Sequence, residues 1–153
     1  MVTVRLAGPS DIPQLVELME EFYAESSFPL DRDWAARAFA ALMAEPARGA
    51  VWLLEVGREA AGHVVLSLRF TMEYGGLSAY IDDLFVRPAF RRRGAATAGL
   101  DALIAECRHR GCRSLHVEVD PQDTAAMTLY RRYGLAPAPD RRRQLGMALS
   151  SRD

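Results

Sequence analysis

The stretch YIDDLFVRPAFRRRGAATAGLDALIAECRHRG, from Tyr80 to Gly111, decides how the rest of the chain is interpreted. Its first seven residues, ending at Val86, are mostly apolar or aromatic and predict a strand. A seven-residue loop follows, of which four residues are arginine, and Gly94 comes directly after it. Small residues then open a helix that Gly111 stops. The sequence therefore predicts a strand, a basic turn and a helix in direct succession.

The basic turn has the features of a phosphate site. The first N–H groups of a helix have no intrahelical partner, and the helix dipole favours negative charge there. Gly94, Ala95 and Ala96 have little or no side chain, so a pyrophosphate could approach the backbone closely. The spacing Arg91-x-x-Gly94-x-Ala96 is neither a Walker loop nor the dinucleotide pattern Gly-x-Gly-x-x-Gly. The alternative interpretation is a basic loop that is only solvated.

Size and composition exclude several classes of protein. A chain of 153 residues, half of them apolar, predicts a single domain over residues 1–153. The net charge of −1 disfavours a nucleic acid as partner, because sequence-independent binders of DNA or RNA carry a basic excess. All 19 basic residues are arginine, which indicates a compositional bias and lowers the weight of any single arginine run.

The chain also lacks signals for a membrane or a metal. No apolar run approaches the roughly 20 residues of a membrane-spanning helix, and the first residues do not have the layout of a signal peptide. Cys107 and Cys112 have no further cysteine or histidine at metal-site spacing. We therefore expect a cytoplasmic protein without a metal, with free thiols and with a buried, structural Cys107.

The periodicity along the chain predicts an α/β fold. Alternating apolar residues predict strands near residues 2–6, 50–56, 61–71, 78–86 and 114–119. Helical spacing predicts helices near residues 12–26, 33–44, 95–110 and 124–133. The tail has room for one or two short strands, the last over residues 144–149. Hairpins combined with crossover helices imply a mixed, mostly antiparallel sheet of six or seven strands with helices on both faces, in the order β-α-α-β-β-β-α-β-α-β-β.

Two motifs resemble the signatures of the GNAT superfamily of acyl-CoA-dependent N-acetyltransferases. The strand followed by Val86-x-Pro88 and then Arg91-x-x-Gly94-x-Ala96 is similar to the acyl-CoA-binding signature of that family. Residues 123–135, DTAAMTLYRRYGL, resemble the family pattern Asn-x-x-Ala-x-x-Leu-Tyr-x-x-x-Gly-Phe. The predicted order of elements also resembles the family fold, and the resemblance spans nearly the whole chain.

The resemblance implies how acetyl-CoA would bind as co-substrate. The strand at 80–86 would splay from the strand at 114–119, and the pantetheine arm would lie in the gap. Backbone groups of Leu84, Phe85 and Val86 would bond the arm, and one N–H would polarise the thioester carbonyl. The residues implied at the pyrophosphate are Arg91, Arg92, Arg93, Gly94, Ala95, Ala96 and Thr97.

The resemblance also implies a general acid. Tyr130 would lie near the sulfur and protonate the departing CoA thiolate. The alternative is an aromatic residue that only packs in the core.

The base is assigned less directly. A lysine-like amine, with a pKa of about 10.4, is mostly protonated at neutral pH and must lose a proton before it attacks. Some members of the family carry an acidic pair on this strand, which implies Asp82 as the first candidate and Asp83 as the second. Strand periodicity puts Asp82 on the face of Leu84, and Asp83 on the face of Ile81 and Phe85. A salt-bridged or solvated pair is the alternative. Further candidates are Glu73, His116 and Glu118.

The chain departs from the family pattern at three positions. Ala96 replaces the more usual second glycine, and its side chain is small enough to permit the same approach. Asp123 replaces asparagine near the expected CoA arm, where it would weaken a hydrogen bond to the cofactor, unless it or Thr124 caps the helix. Leu135 replaces phenylalanine, which changes packing only.

Together these patterns predict an N-acetyltransferase that moves an acetyl group from acetyl-CoA to a primary amine of a small molecule by direct attack. Two adjacent acids beside the thioester favour a cationic amine. Two alternatives stay open: an enzyme that acetylates the N-terminus of a protein or peptide, and a non-enzymatic acyl-CoA-binding module. The family resemblance also suggests a homodimer.

Overall fold

The computed structural model describes residues 1–139 and 141–150. Backbone contacts divide the chain into two compact units, Met1–Glu118 and Val119–Asp153. In the described part of the chain, no helix is long and apolar enough to cross a membrane. A single domain over the whole length stays a prediction.

The first unit is an α/β unit with a five-stranded mixed sheet. Its strands are β1 (Val2–Leu6), β2 (Gly49–Val56), β3 (Glu59–Thr71), β4 (Gly76–Val86) and β5 (Ser114–Val117). They lie in the order β1-β2-β3-β4-β5, and every neighbouring pair is antiparallel except β4 and β5. The helices of this unit are α1 (Ile12–Glu25), α2 (Arg32–Ala44) and α3 (Ala95–His109). Helix α3 makes the crossover that two parallel strands require.

The helices cover both faces of the sheet, as predicted. We call the face under α1 and α2 the front face; its buried strand residues are Val51, Leu53, Val65 and Phe85. Helix α3 packs on the back face, where Gly99 lies against Leu54 and Val64. A Cβ at Gly99 would stand 3.0 Å from a methyl of Leu54, so the glycine lets the helix approach the sheet closely.

A β-bulge in β4 changes the face assignment of the acidic pair. Val65 pairs with Asp83, but the next residue of β3, Leu66, pairs with Ile81, so Asp82 is the extra residue. Such a bulge shifts the alternation of side chains by one position. Asp83 therefore shares the front face with Phe85 but not with Ile81, and the face predicted for Asp83 from simple alternation was wrong in that respect.

The second unit contains helix α4 (Thr124–Arg132) and the tail. Asp123 caps this helix, because its carboxylate accepts a hydrogen bond of 3.0 Å from the N–H of Ala126. No strand follows α4 in the described residues, so the strand predicted at 144–149 is absent and the sheet has five strands instead of six or seven. Alternating side chains favour a strand only where a partner edge supplies backbone hydrogen bonds, and the local pattern cannot reveal such a partner. Three side chains that suggested the strand are exposed: Leu145, Met147 and Leu149.

Candidate active site

The candidate site is built around β4, which falls into two parts. The ladder between β4 and β5 begins at Ser78–Ser114 and ends at Ile81–Val117. We call residues 76–81 the paired half of β4 and residues 82–86 the open half. Within the described chain, the open half is paired only with β3, so on its other side it offers backbone groups to a ligand. The predicted separation of these two strands thus begins at the bulged Asp82.

Part of the open half is already engaged by the turn that follows it. Arg91 donates a hydrogen bond of 2.8 Å to the carbonyl of Val86 and one of 2.6 Å to Glu25 of α1. Arg87 donates two, of 2.9 and 2.8 Å, to the carboxylate of Glu21. Two of the four arginines in the loop therefore tie the strand end to α1, a structural role that composition could not separate from phosphate binding.

The other two arginines are available to a ligand. Arg92 and Arg93 are exposed, and neither makes an ion pair within the described residues. Arg92 has a φ of 62°, a backbone conformation that non-glycine residues seldom adopt and that is concentrated at ligand sites. The guanidinium of Arg93 lies 5.8 Å from the ring centroid of Phe90. These two side chains are the cations that the turn offers to solvent.

The start of α3 is open as well. Gly94, in the left-handed region at a φ of 84°, is the N-cap, and no side chain caps the helix. The first intrahelical bond runs from the N–H of Ala98 to the carbonyl of Gly94, so the N–H groups of residues 95–97 precede the helical ladder. Ala95 is buried, whereas Thr97 is exposed. This geometry suits an anion.

The two acids of the pair have different surroundings. Asp82 is exposed by surface area, yet the protein around its carboxyl excludes enough water to raise its pKa, and the negative charges of Asp83 and Glu118 raise it further. A raised pKa makes a carboxylate a stronger base. Among the described residues, Asp82 is the acid whose pKa is raised most clearly by its setting.

Asp83 instead faces a buried histidine. The Nε2 atom of His63 lies 3.9 Å from an Oδ atom of Asp83, and that carboxylate is only 13% exposed. The imidazole is fully buried, and neither of its nitrogens has a hydrogen-bond partner in the described structure. Three aromatic rings surround it, those of Phe22, Phe39 and Phe85. An unsatisfied buried polar group is rare enough to mark the position as unusual.

Sequence reasoning did not single out His63. A lone histidine between alanine, glycine and valine residues in a strand carries no motif. The alternation of β3 does place it on the front face with Val65, and an imidazole at an apolar position is a weak signal that was available.

The further candidates lie beside the paired half of β4. His116 is opposite Tyr80 in the ladder, and the two rings stack with centroids 4.9 Å apart. Tyr74 meets the same imidazole edge-on at 5.5 Å. Glu118 follows β5 and is close enough to Asp82 to act on its charge. Glu73 precedes β4 and is exposed.

The second unit contains Tyr130, which lies in α4 and is buried. Burial raises the pKa of its hydroxyl to about 12, and the negative charge of Asp123 contributes to the increase. The phenol is therefore protonated at neutral pH, as a hydrogen-bond donor or general acid must be. Because Asp123 caps α4, its carboxylate has the helix-capping role that was one of the two alternatives.

The thiols and the metal-binding residue types suggest no other chemistry. Cys107 is buried, and burial together with the neighbouring Cys112 raises its pKa to about 12. A thiol of that kind is a poor nucleophile at neutral pH. Residues 1–139 and 141–150 contain no group of three or more histidine, cysteine, aspartate or glutamate side chains that could hold a metal ion.

Comparison with known proteins gives a consistent family match. The model of the acetyltransferase (GNAT) family matches residues 13–135. No curated protein matches the chain significantly. An integron cassette protein from the mobile metagenome of Cole Harbour Salt Marsh is 42% identical, with a TM-score of 0.87 over 97% of this chain and 91% of its own.

Two more distant structures share the fold. A predicted acetyltransferase from Clostridium acetobutylicum, solved with acetyl-CoA, is 20% identical with a TM-score of 0.79, over 97% of each chain. An aminoglycoside acetyltransferase from an uncultured soil metagenomic sample, solved with trehalose, is 19% identical with a TM-score of 0.75, again over 97% of each chain. At these identities the likeness is one of fold.

Proposed function

We propose that this chain, which belongs to the acetyltransferase (GNAT) family, moves an acetyl group from acetyl-CoA to a primary amine of a small molecule. Acetyl-CoA is the acyl donor of the family, and one structure of the same fold was solved with it. The family assignment specifies neither the acceptor nor the residues that perform the chemistry, and both are inferred from the site.

One observation carries the proposal. Pairing between β4 and β5 stops at Ile81–Val117, and the open half of β4 then leads into a helix start that no side chain caps. The open half has the backbone groups that a pantetheine amide can bond, and the uncapped N–H groups with Arg92 and Arg93 suit its pyrophosphate. In this proposal β4 offers its backbone to the pantetheine, and the start of α3 that follows it offers a site for the pyrophosphate.

The acid pair supports an amine as acceptor. Asp83 and Glu118 lie close enough to Asp82 to raise its pKa. The three carboxylates together form a concentration of negative charge that attracts an ammonium group. In the proposed reaction Asp82, or Asp83 in its place, accepts one proton from the ammonium. The free amine then attacks the carbonyl carbon of the thioester and the C–S bond breaks. The second proton, which the nitrogen loses as the amide forms, replaces through water the proton that Tyr130 gives to the thiolate.

Tyr130 is proposed to stabilise the departing thiolate. A phenol with a pKa of about 12 holds its proton more tightly than a thiol, whose ordinary pKa is about 8.5. The hydroxyl therefore contributes first as a hydrogen-bond donor to the developing negative charge on sulfur. Because the phenol is the weaker acid of the two, transfer of its proton to the thiolate is completed by return of a proton from the nitrogen that becomes the amide.

The experiment that tests the function is the substitution Tyr130→Phe, assayed by release of CoA over a panel of amines. Loss of a general acid should lower kcat by about 10²- to 10⁴-fold, while the affinity for acetyl-CoA measured by calorimetry stays nearly unchanged. If no amine of the panel makes the wild type release CoA, although acetyl-CoA still binds, the result would support a binding module and contradict the enzyme proposal.

The cofactor assignment is tested by a matched pair at Gly94, Gly94→Asp and Gly94→Asn. Both side chains have the same shape, both adopt the strained positive φ, and a Cβ added at Gly94 would have no neighbouring atom within 4 Å. Only the aspartate adds a negative charge next to the pyrophosphate. Its affinity for acetyl-CoA should be at least about tenfold below that of the asparagine variant, roughly 1.4 kcal/mol. Equal affinities of the two variants for acetyl-CoA would contradict the assignment of the pyrophosphate to this turn.

Three further properties stay proposals. We propose that the protein is cytoplasmic and that it forms a homodimer. Light scattering on the purified chain tests the homodimer. Acetylation of a protein or peptide N-terminus is the second candidate function. The acidic character around Asp82 favours neither a free amine nor a peptide N-terminus by itself, since both are cationic, so peptides belong in the panel.

A further inference from the structure

The hydroxyl groups of Thr71, Ser78 and Ser114 form a hydrogen-bonded chain that ends at the ring of His116. The hydroxyl of Ser114 donates a hydrogen bond of 2.8 Å to that of Ser78, which in turn lies 2.5 Å from the hydroxyl of Thr71. The Nε2 atom of His116 lies 2.9 Å from the same Ser114 oxygen. Ser78 is fully buried, so the chain is anchored in the sheet.

The direction of the hydrogen bond from Ser114 to Ser78 assigns the tautomer of the imidazole. A serine hydroxyl has one hydrogen, and Ser114 uses it on Ser78. With that bond in this direction, the Ser114 oxygen accepts from Nε2, which then carries a hydrogen. In the neutral ring Nδ1 is then the nitrogen with the free lone pair. No described residue hydrogen-bonds Nδ1, so this acceptor is available to a ligand.

The ring is also held in place and lies at the proposed site. Tyr80 stacks on it and Tyr74 contacts its edge. His116 is one residue before the end of the β4–β5 ladder, where the open half begins, and Glu118, two residues further on, acts on the charge of Asp82. A fixed ring with a free acceptor nitrogen, next to the acids, is an arrangement that recognises a hydrogen-bond donor.

From this geometry we infer that His116 is a specificity-determining residue whose Nδ1 atom accepts a hydrogen bond from a second donor group of the acceptor. The inference rests on the proposed acetyltransferase function and narrows its substrate class. The acids hold the reacting ammonium, and His116 holds a hydroxyl or a second amine on the same molecule. The preferred acceptors are therefore diamines and amino alcohols in preference to simple monoamines.

The test compares diamines with monoamines of the same chain length, in wild type and His116→Phe. Phenylalanine keeps a flat ring against Tyr80 but has no acceptor nitrogen. A hydrogen bond to a charged donor is worth about 1.5–3 kcal/mol, so kcat/KM for the diamines should fall roughly 10- to 100-fold. The monoamines should change less than about threefold. His109→Phe, at the exposed end of α3, is the matched control and should change neither.

A further variant separates recognition from a packing role. Ser114→Ala removes the bond that fixes the tautomer but leaves the imidazole, so part of the diamine preference should remain.

The outcomes distinguish this inference from the function on which it rests. An equal loss for diamines and monoamines, or no loss for either, would overturn the role of His116 while leaving the acetyltransferase intact. If the wild type transfers acetyl to no amine, the proposed function fails. Calorimetric titration of the diamine into the protein with CoA then decides about His116 alone, because equal affinity in wild type and His116→Phe would reject it.

Discussion

The two halves of β4 belong to one strand but differ in what surrounds them. The paired half, residues 76–81, pairs with β3 throughout and with β5 over residues 78–81. Its histidine neighbour, His116, is hydrogen-bonded to a chain of hydroxyl groups. The open half, residues 82–86, is paired with β3 alone in the described chain. Its histidine neighbour, His63, is buried without a hydrogen bond to any described residue. The bulged Asp82 marks the boundary.

The difference shows how a strand can be both scaffold and binding surface. Pairing on both sides satisfies the backbone of residues 78–81 and holds their side chains in fixed positions. Incomplete pairing leaves the second half with backbone groups that need a partner, which the proposed cofactor supplies. Since the halves are continuous, a change that moves one half without the other tests the comparison directly.

The largest effect is expected from Gly62→Ala, which acts on the open half. Gly62 pairs with Val86, and a Cβ there would lie 2.0 Å from the carbonyl oxygen of Phe85, a backbone atom that cannot rotate away. Overpacking of this kind costs about 1–3 kcal/mol, and we expect a value near the upper end. Urea unfolding measures the free energy, and calorimetry should show weaker binding of acetyl-CoA.

The matched control is Gly76→Ala, at the start of the paired half. The nearest atom to its Cβ would be Nε of Arg113, at 2.9 Å, on a side chain that can move. The unfolding free energy should change by less than about 0.5 kcal/mol. A similar loss in both variants would mean that the open half is no more tightly constrained than the paired half.

Sequence patterns predicted the fold well where local periodicity decides it. The five strands and four helices lie close to the predicted positions because apolar spacing determines which face of each element is buried. The tail strand failed because strand formation there depends on a partner edge. The prediction that β5 continues to Val119 was two residues too long, since pairing with β4 ends at Val117.

The candidate site was predictable in its motifs but not in its details. The turn after β4 and the helix that carries Tyr130 lie where the two signatures predicted them, and the roles of their residues stay predictions. The bulge at Asp82 could not be predicted, because alternation assumes equal residue counts on both strands. Nor could spacing show that Arg87 and Arg91 bond Glu21 and Glu25 of α1, contacts that depend on how the helix packs.

A smaller effect, opposite in sign for the two histidines, is expected from His63→Leu and His116→Leu. Leucine at position 63 fills an apolar site without leaving polar atoms unsatisfied, so the unfolding free energy should rise by about 1–2 kcal/mol. Leucine at position 116 loses the bond to Ser114 and should lower it by about 0.5–1.5 kcal/mol. Chemical unfolding at neutral pH measures both.

The His63 result also reports on Asp83. At 3.9 Å the two side chains are just beyond hydrogen-bond distance. A loss of stability in His63→Leu, instead of the gain, would show that the imidazole stabilises the Asp83 carboxylate in solution. The open half would then contain a bonded histidine like that of the paired half, and the contrast between the two would disappear.

The smallest effect is expected at the boundary, from Asp82→Asn. The protein around the carboxyl, which excludes water, and the charges of Asp83 and Glu118 raise the pKa of Asp82 above its ordinary value of 3.8, so the folded state binds this proton more tightly than the unfolded state. The charged carboxylate therefore costs stability at pH 7, and the cost is relieved as the pH falls through the raised pKa. Because the side chain is exposed, the gain from asparagine at pH 7 should stay below about 1 kcal/mol.

The pH dependence gives this prediction its sign. The stability advantage of Asp82→Asn should be present at pH 7 and shrink toward pH 4, where wild-type Asp82 is increasingly protonated and uncharged like the asparagine. In an Asp83→Asn background the advantage at pH 7 should also be smaller, because one of the repelling charges is gone. An advantage that persists unchanged at pH 4 would have to come from packing. It would contradict the prediction that the charge of Asp82, the proposed base, destabilises the folded state at the boundary between the two halves of β4.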